Sequence, residues 1–469
     1  MRQNEPCATW LATPAKSTLW TRLVSRLIFP LHERLKGHDS VARLHALERS
    51  QWWPYAQLQD YRLVRLRDML GYVGRHVPYY RAMFKQIGFD PAAMTSLDDL
   101  RRLPLLTKAL IRDNDIKSEV AGPLKRYNTG GSSGEPLIFH MGLERISHDV
   151  AAKWRATRWW RVDIGDPEIV VWGSPIELGA QDRVRLIRDK LLRTRLLPAF
   201  EMSPAKLDGF IRDIRAFRPS MLFGYPSAFA HIARHARATG QRLDDLGIHV
   251  AFVTSERLYD DQRELIAATF GCGVANGYGG RDAGFIAHEC PYGGMHISGE
   301  DIIVEIVGND GQVLPAGEAG EIVVTHLGTR EFPFIRYRTG DVGVLDEEEC
   351  ECGRGLPMLK DIQGRTTDFV VAADGTVMHG LALVYIVRDL PGVKQFKIVQ
   401  ESLELTRVLL VAGDEFMPES IEVIVNGFQA RLGRGVAVAV ERVAEIAPEK
   451  SGKFRYVVSK VKTGSGPGA

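Results

Sequence analysis

Hydrophobic residues in the middle of the chain form short continuous runs, separated by longer stretches with helical spacing. The short runs have the length and the β-branched and aromatic content of buried strands. They lie at residues 168–172, 221–223 and 250–253, and the helical patterns lie at 204–216, 226–239 and 259–270. This alternation predicts an α/β fold in which helices flank parallel or mixed sheets.

The pattern changes on both sides of this region. Residues 40–115 have helical spacing with a break at 76–78, and a short strand is predicted at 137–140. Residues 301–345 alternate strand and turn signals, and Asp310-Gly311 is predicted to be a hairpin turn. We therefore expect a β-rich subdomain after the α/β region.

After Gly364 the chain consists of short strand patterns around one amphipathic helix. The strands are predicted at 369–372, 393–399, 405–411 and 436–440, and the helix at 418–432. A segment of this length can form a small domain of its own. The sequence thus predicts a large domain of residues 1–363 and a small α+β domain of residues 364–469.

Composition and charge exclude several classes of protein. The 469 residues are 45% hydrophobic and 25% charged, as in ordinary globular proteins, and the net charge of +2 does not indicate a nucleic-acid partner. No apolar run approaches the roughly 18 residues that a spanning helix needs. No secretory signal is evident, and the five cysteines are too few for a disulfide framework. We expect a cytoplasmic protein without a transmembrane segment.

Residues 19–36 are basic and amphipathic, with Trp20, Leu23, Leu27 and Ile28 at helical spacing. Such a segment can lie on a membrane surface or pack against its own domain. We expect the second arrangement, because Pro30 should break the helix early.

The most informative stretch is residues 127–136, which read Tyr-Asn-Thr-Gly-Gly-Ser-Ser-Gly-Glu-Pro. Small residues allow the backbone to approach a polyanion closely, and successive N–H groups form an anion-binding nest. No Gly-Lys-Ser/Thr follows, so the stretch is not a Walker loop. The alternative is an ordinary flexible turn.

Four further stretches follow in the order of known motifs. They are Tyr278-Gly279-Gly280-Arg281-Asp282, Tyr337-Arg338-Thr339-Gly340-Asp341, Gly364-Arg365-Thr366-Thr367-Asp368 and Ser451-Gly452-Lys453. Together with the loop, they resemble the motifs of the adenylate-forming superfamily. Within it, residues 128–136 and 287–290 are most similar to the phenylacetate–CoA ligase family, and to its CapK-type branch associated with capsular polysaccharide.

The resemblance implies an ATP site built from these motifs. Thr129, Gly130, Gly131, Ser132, Ser133 and Gly134 would hold the β- and γ-phosphates. Tyr278 would flank the adenine, with Gly279 leaving it room, and Arg365 would reach the ribose or phosphate edge. Asp341 would accept both ribose hydroxyls, since an ionised carboxylate has paired acceptors for a vicinal diol.

Two further residues are assigned to the reaction itself. Asp282 stands where the family usually has Glu, and would help to hold Mg²⁺ near the α-phosphate. Lys453 would stabilise charge that develops in the transition state, with Lys450 as its competitor. The hinge motif also departs from the family pattern, because its Asp falls at 368 while Thr367 occupies the usual position.

Two other groups of residues are candidates for binding. The resemblance places the acid substrate near Tyr225, Ser255, Asn276 and Gly277, with Trp172 and Phe252 as further aromatic walls. Independently of ATP, two short clusters supply His288 and Cys290, and Cys350 and Cys352. Thiolate and imidazole ligands suit a structural zinc ion, with His296 as the rival fourth ligand. Unrelated buried cysteines are the alternative.

The resulting hypothesis is a ligase that converts a carboxylic acid and ATP into an acyl-adenylate and pyrophosphate. By resemblance, coenzyme A then takes the acyl group while the C-terminal domain moves between the two half-reactions. A polysaccharide precursor, an amine or a separate carrier protein remains an alternative acceptor. A second alternative is a non-catalytic nucleotide-binding relative. The sequence leaves the acid and the oligomeric state open.

Overall fold

The structure is a computed structural model, and it describes residues 18–128, 137–172, 183–199, 202, 204–365, 369–374, 377–388, 390–446 and 455–461. The chain divides into two compact units. The first contains residues 1–339 and 343–362, and the second contains residues 340–342 and 363–469. The boundary predicted at 363/364 stays a prediction.

The first unit begins with helices, as the spacing over 40–115 predicts. They are α1 (Leu19–Leu23), a π-helical turn (Val24–Ile28), α2 (Phe29–Leu35), α3 (Ser40–Ser50), α4 (Tyr55–His76), α5 (Pro78–Ile87) and α6 (Lys108–Asp113), with 3₁₀ turns at Pro91–Ala93 and Leu97–Arg102. The break at 76–78 is confirmed: α4 ends at His76 and Pro78 begins α5, at a position where proline's missing N–H costs nothing. The break expected at Pro30 is wrong. The π turn precedes Pro30, and the helical path continues to Leu35.

A mixed sheet is the centre of the first unit. Its described strands are β3 (Glu168–Trp172), β4 (Thr194–Pro198), β5 (Met221–Gly224), β6 (Val250–Thr254), β7 (Gly273–Gly280), β8 (Gly284–Glu289), β9 (Met295–Ile297), β10 (Ile302–Val307), β11 (Ala319–His326), β12 (Tyr337–Asp346) and β13 (Met358–Arg365). The order across the sheet is β10-β11-β12-β13-β9-β8-β7-β6-β5-β3-β4. The run from β7 to β4 is parallel, whereas β7-β8, β8-β9 and β9-β13 are antiparallel pairs.

Helices flank the parallel strands, so the predicted α/β class is confirmed. They are α7 (Leu143–Trp159), α8 (Arg183–Leu192), α9 (Pro204–Phe217), α10 (Pro226–Ala238) and α11 (Asp260–Phe270). Strands β5 and β6 are buried along their whole length, as expected for parallel strands covered on both faces. A separate hairpin joins β1 (Lys125–Asn128) to β2 (Ile138–Met141).

The β-rich region after residue 300 also forms, with one difference. The turn at Asp310-Gly311 is present, and Gly311 has a positive φ of 81°. It closes onto a single bridge between Val307 and Val313, whereas the main partner of β10 is β11, which begins at Ala319.

The second unit contains the small sheet that the sequence predicts. Its described elements are β14 (Phe369–Val371), β15 (Val377–His379), α12 (Leu381–Arg388), β16 (Val393–Gln400), β17 (Leu405–Ala412), α13 (Glu419–Leu432), β18 (Ala437–Arg442) and β19 (Val457–Ser459). The order of the four-stranded sheet is β18-β17-β16-β19. Phe396, Ile398, Ile424 and Phe428 are among the residues of its core.

Helix α7 lies in the first unit, and several of its charged side chains are buried. The side chains of Arg155 and Glu300 are only 1% and 2% exposed, and Nη1 of Arg155 donates to Oε1 of Glu300 at 2.7 Å. The hydroxyl of Ser50 donates to the same oxygen. No described helix is both long and apolar enough to cross a membrane.

We predict that Arg155→Met will lower the free energy of unfolding of the first unit by about 3–5 kcal/mol, because it leaves a buried carboxylate unpaired. Urea unfolding monitored by tryptophan fluorescence measures this loss. The matched control is Arg158→Met on the same helix, whose partly exposed pairs with Glu48 and Asp163 should each contribute less than about 1 kcal/mol. Equal effects of the two substitutions would contradict the assigned difference.

Candidate functional site

The predicted acid-binding residues lie in one row across the sheet. The register pairs Val171 with Gly224, Gly224 with Val253, and Thr254 with Gly277. Residues at the carboxyl ends of four neighbouring parallel strands therefore lie side by side. This edge of an open α/β sheet is where such folds bind ligands.

Each predicted residue has a defined place at this edge. Tyr225 directly follows β5 and is buried, Ser255 directly follows β6, and Asn276 and Gly277 lie in β7. Ser255 has a positive φ of 72°, which is strained for a residue with a side chain and is often found at functional sites. The backbone N–H of Asn276 donates to Glu289 at 2.8 Å, which fixes β7 from behind.

Aromatic rings continue along the same edge. Trp172 stacks on Tyr225 with ring centroids 4.5 Å apart, and Phe223 stacks on Phe252 at 5.9 Å. A Cβ at Gly277 would lie 2.7 Å from the Phe252 ring, so glycine is needed there to admit the ring. The edge thus combines stacked aromatic rings with polar backbone, and Trp172 is partly exposed while the other three rings are buried.

The structure brings together two motifs that are far apart in sequence. The hydroxyl of Tyr337, the first residue of β12, donates to Oδ2 of Asp282 at 2.7 Å. The other carboxylate oxygen, Oδ1, accepts from the backbone N–H of Ala283 at 3.1 Å. Each oxygen has a further lone pair, so the half-buried carboxylate can still accept from a cation or its bound water.

The backbone around Asp282 is held by a residue that sequence reasoning missed. Arg145 in α7 is 1% exposed, and its guanidinium donates to the carbonyl oxygens of Arg281 at 3.4 Å and Asp282 at 3.2 Å. A charged residue in an amphipathic helix is normally assigned to the solvent face, so no pattern in the sequence indicated this contact.

Tyr278 and Gly279 lie where the strands β7 and β8 approach each other. A Cβ at Gly279 would lie 2.1 Å from the carbonyl oxygen of Gly284, so this position accepts only glycine. Close backbone packing explains the glycine independently of any nucleotide. Asp341 lies half-buried in β12, two residues after Thr339, whose hydroxyl donates to the carbonyl of Ile322 at 2.7 Å.

Several predicted residues fall outside the described part of the chain. They are Thr129, Gly130, Gly131, Ser132, Ser133, Gly134, Lys450 and Lys453. Arg365 ends β13, and its side chain is likewise not described. Both neighbours of the loop are described: Asn128 pairs with Ile138, and the carbonyl oxygen of Asn128 accepts from Arg281 at 3.4 Å. The loop therefore starts next to the Asp282 motif.

The three predicted cysteines come together in a second cluster. The ligand atoms of Cys290, Cys350, Cys352 and His296 all lie within 4.8 Å of one another. The Sγ atoms of Cys290 and Cys350 are 3.6 Å apart, far from the ~2.05 Å of a disulfide. Tetrahedral zinc with Zn–S bonds of about 2.3 Å requires sulfur atoms roughly 3.8 Å apart. The donor set and its spacing fit such an ion.

The electrostatics of the cluster agree with this reading. A hydrogen bond from Cys290, and then one from His296, lower the pKa of the Cys352 thiol. Burial lowers the pKa of His296, but its hydrogen bonds with Cys350 and Cys352 outweigh burial and raise it. Zinc binds thiolates and neutral imidazole, so a divalent cation held here would replace the protons of these ligands.

The fourth member is His296, the rival ligand, and not His288. The two histidines are paired across β8 and β9, but it is Nε2 of His296 that lies 3.1 Å from Sγ of Cys352. His288 instead packs between the rings of Phe285 and Phe252. Burial lowers its pKa to about 3, and neither ring nitrogen has a described hydrogen-bond partner.

Comparison with known proteins agrees with the predicted family and the fold. The family described as the CapK C-terminal domain matches residues 370–460. Over 334 residues the chain is 25% identical to a phenylacetate-coenzyme A ligase of Thermus thermophilus, covering 68% of this chain and 72% of the relative. It is 23% identical to the protein CapK of Staphylococcus aureus over 411 residues, covering 85% and 88%.

The chain is similar to phenylacetate–CoA ligases and to CapK, so the predicted resemblance is confirmed. A solved structure of 2-hydroxyisobutyryl-CoA ligase, in the postadenylation state with 2-HIB-AMP, has the same fold, with a TM-score of 0.71 at 22% identity. The alignment covers 88% of this chain and 91% of that one. The site residues themselves stay predictions.

Proposed function

We propose that this protein is an ATP-dependent acid–CoA ligase. A carboxylate oxygen of the acid attacks the α-phosphorus of ATP, the bond to the β-phosphate breaks, and acyl-adenylate and pyrophosphate form. The thiol of coenzyme A then attacks the acyl carbon, giving a thioester, AMP and a proton. The relatives named phenylacetate-coenzyme A ligase and the ligase bound to its acyl-AMP support this assignment.

The observation that carries the proposal is the contact between Tyr337 and Asp282. It unites two motifs 55 residues apart in sequence and leaves a half-buried carboxylate beside the start of the phosphate loop. When bound there, Mg²⁺ would neutralise charge on the α-phosphate. Asp282 would hold it or its water, while Tyr337 and Arg145 keep the carboxylate in place.

The aromatic edge supports an acid with an apolar body. The rings of Trp172, Tyr225, Phe223 and Phe252 stack near the carboxyl ends of the parallel strands, with Trp172 partly exposed and the other three buried. The decisive experiment is ATP–pyrophosphate exchange with a panel of aromatic and aliphatic acids. A non-catalytic relative would exchange with none of them. Subsequent assays with coenzyme A, amines and carrier proteins identify the acceptor.

We predict that Tyr337→Phe will lower the exchange rate roughly 10- to 100-fold and raise the Mg²⁺ concentration needed for half-maximal rate. A hydrogen bond to a charged group contributes about 1.5–3 kcal/mol, and about 1.4 kcal/mol corresponds to a tenfold change. Tyr72→Phe is the control, since its hydroxyl contacts Ser118 away from this site. Unchanged Mg²⁺ dependence in Tyr337→Phe would count against the assigned role.

The catalytic lysine is tested by a matched pair of variants. We predict that Lys453→Ala will reduce acyl-adenylate formation about a hundredfold or more while ATP binding persists, because its charge acts on the transition state. Lys450→Ala, three residues upstream, should retain activity. Pyrophosphate exchange and nucleotide titration measure the two effects. If Lys450→Ala is the inactive variant, the role belongs to Lys450.

We further propose that Cys290, His296, Cys350 and Cys352 hold one structural zinc ion. Four protein ligands leave no open position, so the ion would stabilise and not catalyse. The cluster ties the turn after β8 to the turn before β13.

Cys350→Ser and His296→Ala should each lower bound zinc and the thermal midpoint, because the metal stabilises the folded state that contains its ligands. His288→Ala is the control that should retain zinc. Elemental analysis and thermal unfolding provide the measurements. Purified protein without zinc, whose thiols all react freely with an alkylating agent, would show that no ion is held there.

A further inference from the structure

A row of exposed leucines follows the N-terminal helical segment. Leu19, Leu23, Leu27, Leu31 and Leu35 are 84%, 41%, 60%, 56% and 80% exposed. They recur every four residues from the start of α1 to the end of α2. At about 1.5 Å per residue the row is about 24 Å long. Large exposed apolar stripes of this kind are uncommon on ordinary protein surfaces.

The π turn Val24–Ile28 keeps the row on one side of the segment. In an α-helix of 3.6 residues per turn, positions four apart drift by about 40° at each step. The π turn is wider, with the N–H of Phe29 donating to the carbonyl of Val24, and it offsets about half of the accumulated drift. The five leucines consequently remain on one side of the segment.

The opposite side of the segment is anchored to the first unit. Val24 and Phe29 are buried, and the ring of Phe29 packs edge-on against Trp154 of α7. The hydroxyl of Thr21 donates to Asp166 at 2.8 Å. Because this face is fixed, the leucine row cannot turn inward to find cover.

The charges around the row are positive. Arg22, Arg26, Arg34 and Lys36 are exposed beside it. The sole acid between residues 19 and 38 is Glu33, which is buried and accepts from His38 and Ser40. Beyond this segment, Asp39 is exposed but pairs with Arg43.

Adjacent parts of the first unit add further exposed apolar surface and positive charge to the row. Trp20 is 39% exposed, and its indole N–H donates to the carbonyl of Leu191, which is itself 37% exposed. Burial lowers the pKa of Lys36, and the positive charges of Arg188 and Lys125 lower it further despite the nearby Glu33. Cations from two other elements therefore lie around the end of the row.

We propose that this leucine row is an interfacial anchor that lies in the surface of a bilayer containing anionic phospholipid. Leucines would enter the acyl boundary, the arginine stems would extend along it with their charges among the phosphates, and Trp20 would lie at headgroup level. A row on one side of the segment, flanked by cations, matches a planar anionic surface. The inference does not rest on the proposed ligase activity, and the binding it describes is reversible.

The test is co-sedimentation of the full chain with phosphatidylcholine vesicles, with and without phosphatidylglycerol. We expect binding to the anionic vesicles only, weakening as salt rises. Leu23→Glu/Leu27→Glu should reduce the bound fraction at least about tenfold. Val64→Glu is the matched control, since Val64 is 63% exposed on α4, away from the row, and this variant should bind as the parent does. Arg22→Glu/Arg26→Glu should remove the preference for anionic vesicles.

Thermal unfolding checks that the variants are folded, as expected since all five substituted positions are exposed. Failure of the full chain to bind anionic vesicles would overturn the proposal, as would equal binding by the leucine variant. Two other partners could cover the leucine row, a second copy of the chain or the chain's own N-terminus. Sedimentation velocity tests for the second copy. A dimer that the leucine variant alone abolishes, without vesicle binding, would assign the row to a second copy. Binding that appears only after deletion of residues 2–17 would assign it to the chain's own N-terminus.

Discussion

Every buried charge on helix α7 must be paired, and much of the first unit is arranged around that requirement. An unpaired ion in the interior costs several kcal/mol even after relaxation. Along one helix, His148 contacts Asp301, Lys153 contacts Glu168, and Arg155 contacts Glu300. His148 and Arg65 hold the pKa of Asp301 well below its usual value, although burial alone would raise it. Two of these pairs join α7 to the turn that contains Glu300 and Asp301, and the third joins it to β3, so the helix is fixed against the sheet at two places.

The candidate site depends on that position. The first turn of α7 places Arg145 against the carbonyls of Arg281 and Asp282, where β7 turns back into β8. A Cβ at Gly284 would lie 2.9 Å from the same guanidinium, so glycine allows the turn to close around it. Tyr337 then fixes the carboxylate itself. Backbone and side chain of Asp282 are thus held by separate elements, so the carboxylate would be preorganised for the cation that is proposed to bind there.

Sequence pattern predicted the elements that periodicity controls. Residues 168–172 form β3 with the predicted limits, and α9, α10 and α11 begin and end within a residue or so of their predicted bounds. Prediction from the pattern failed where a charged residue is buried, or where a contact joins residues far apart in sequence. The burial of Arg145 and Arg155 was not predicted, because a charged residue in a helix normally lies on the solvent face. The choice of His296 over His288 required the long-range contact between His296 and Cys352, and the path through Pro30 required the π turn before it. The phosphate loop and Lys453 remain predictions from motifs alone.

The two ends of α7 contact the two candidate sites of this unit, the Asp282 site and the cysteine cluster. Arg145 lies in its first turn beside Asp282, while Trp159, its last residue, packs edge-on against His296 with ring centroids 5.6 Å apart. These residues are separated by about 21 Å of helix. The ion pairs of α7 hold the helix between these two sites. They oppose any sliding of the helix along the sheet, because such a shift would break several ion pairs at once. A metal at the cysteine cluster would therefore act on the distant carboxylate through the helix: by fixing β8 and β9 against Trp159, it would limit the movements of α7 that could carry Arg145 away from Asp282.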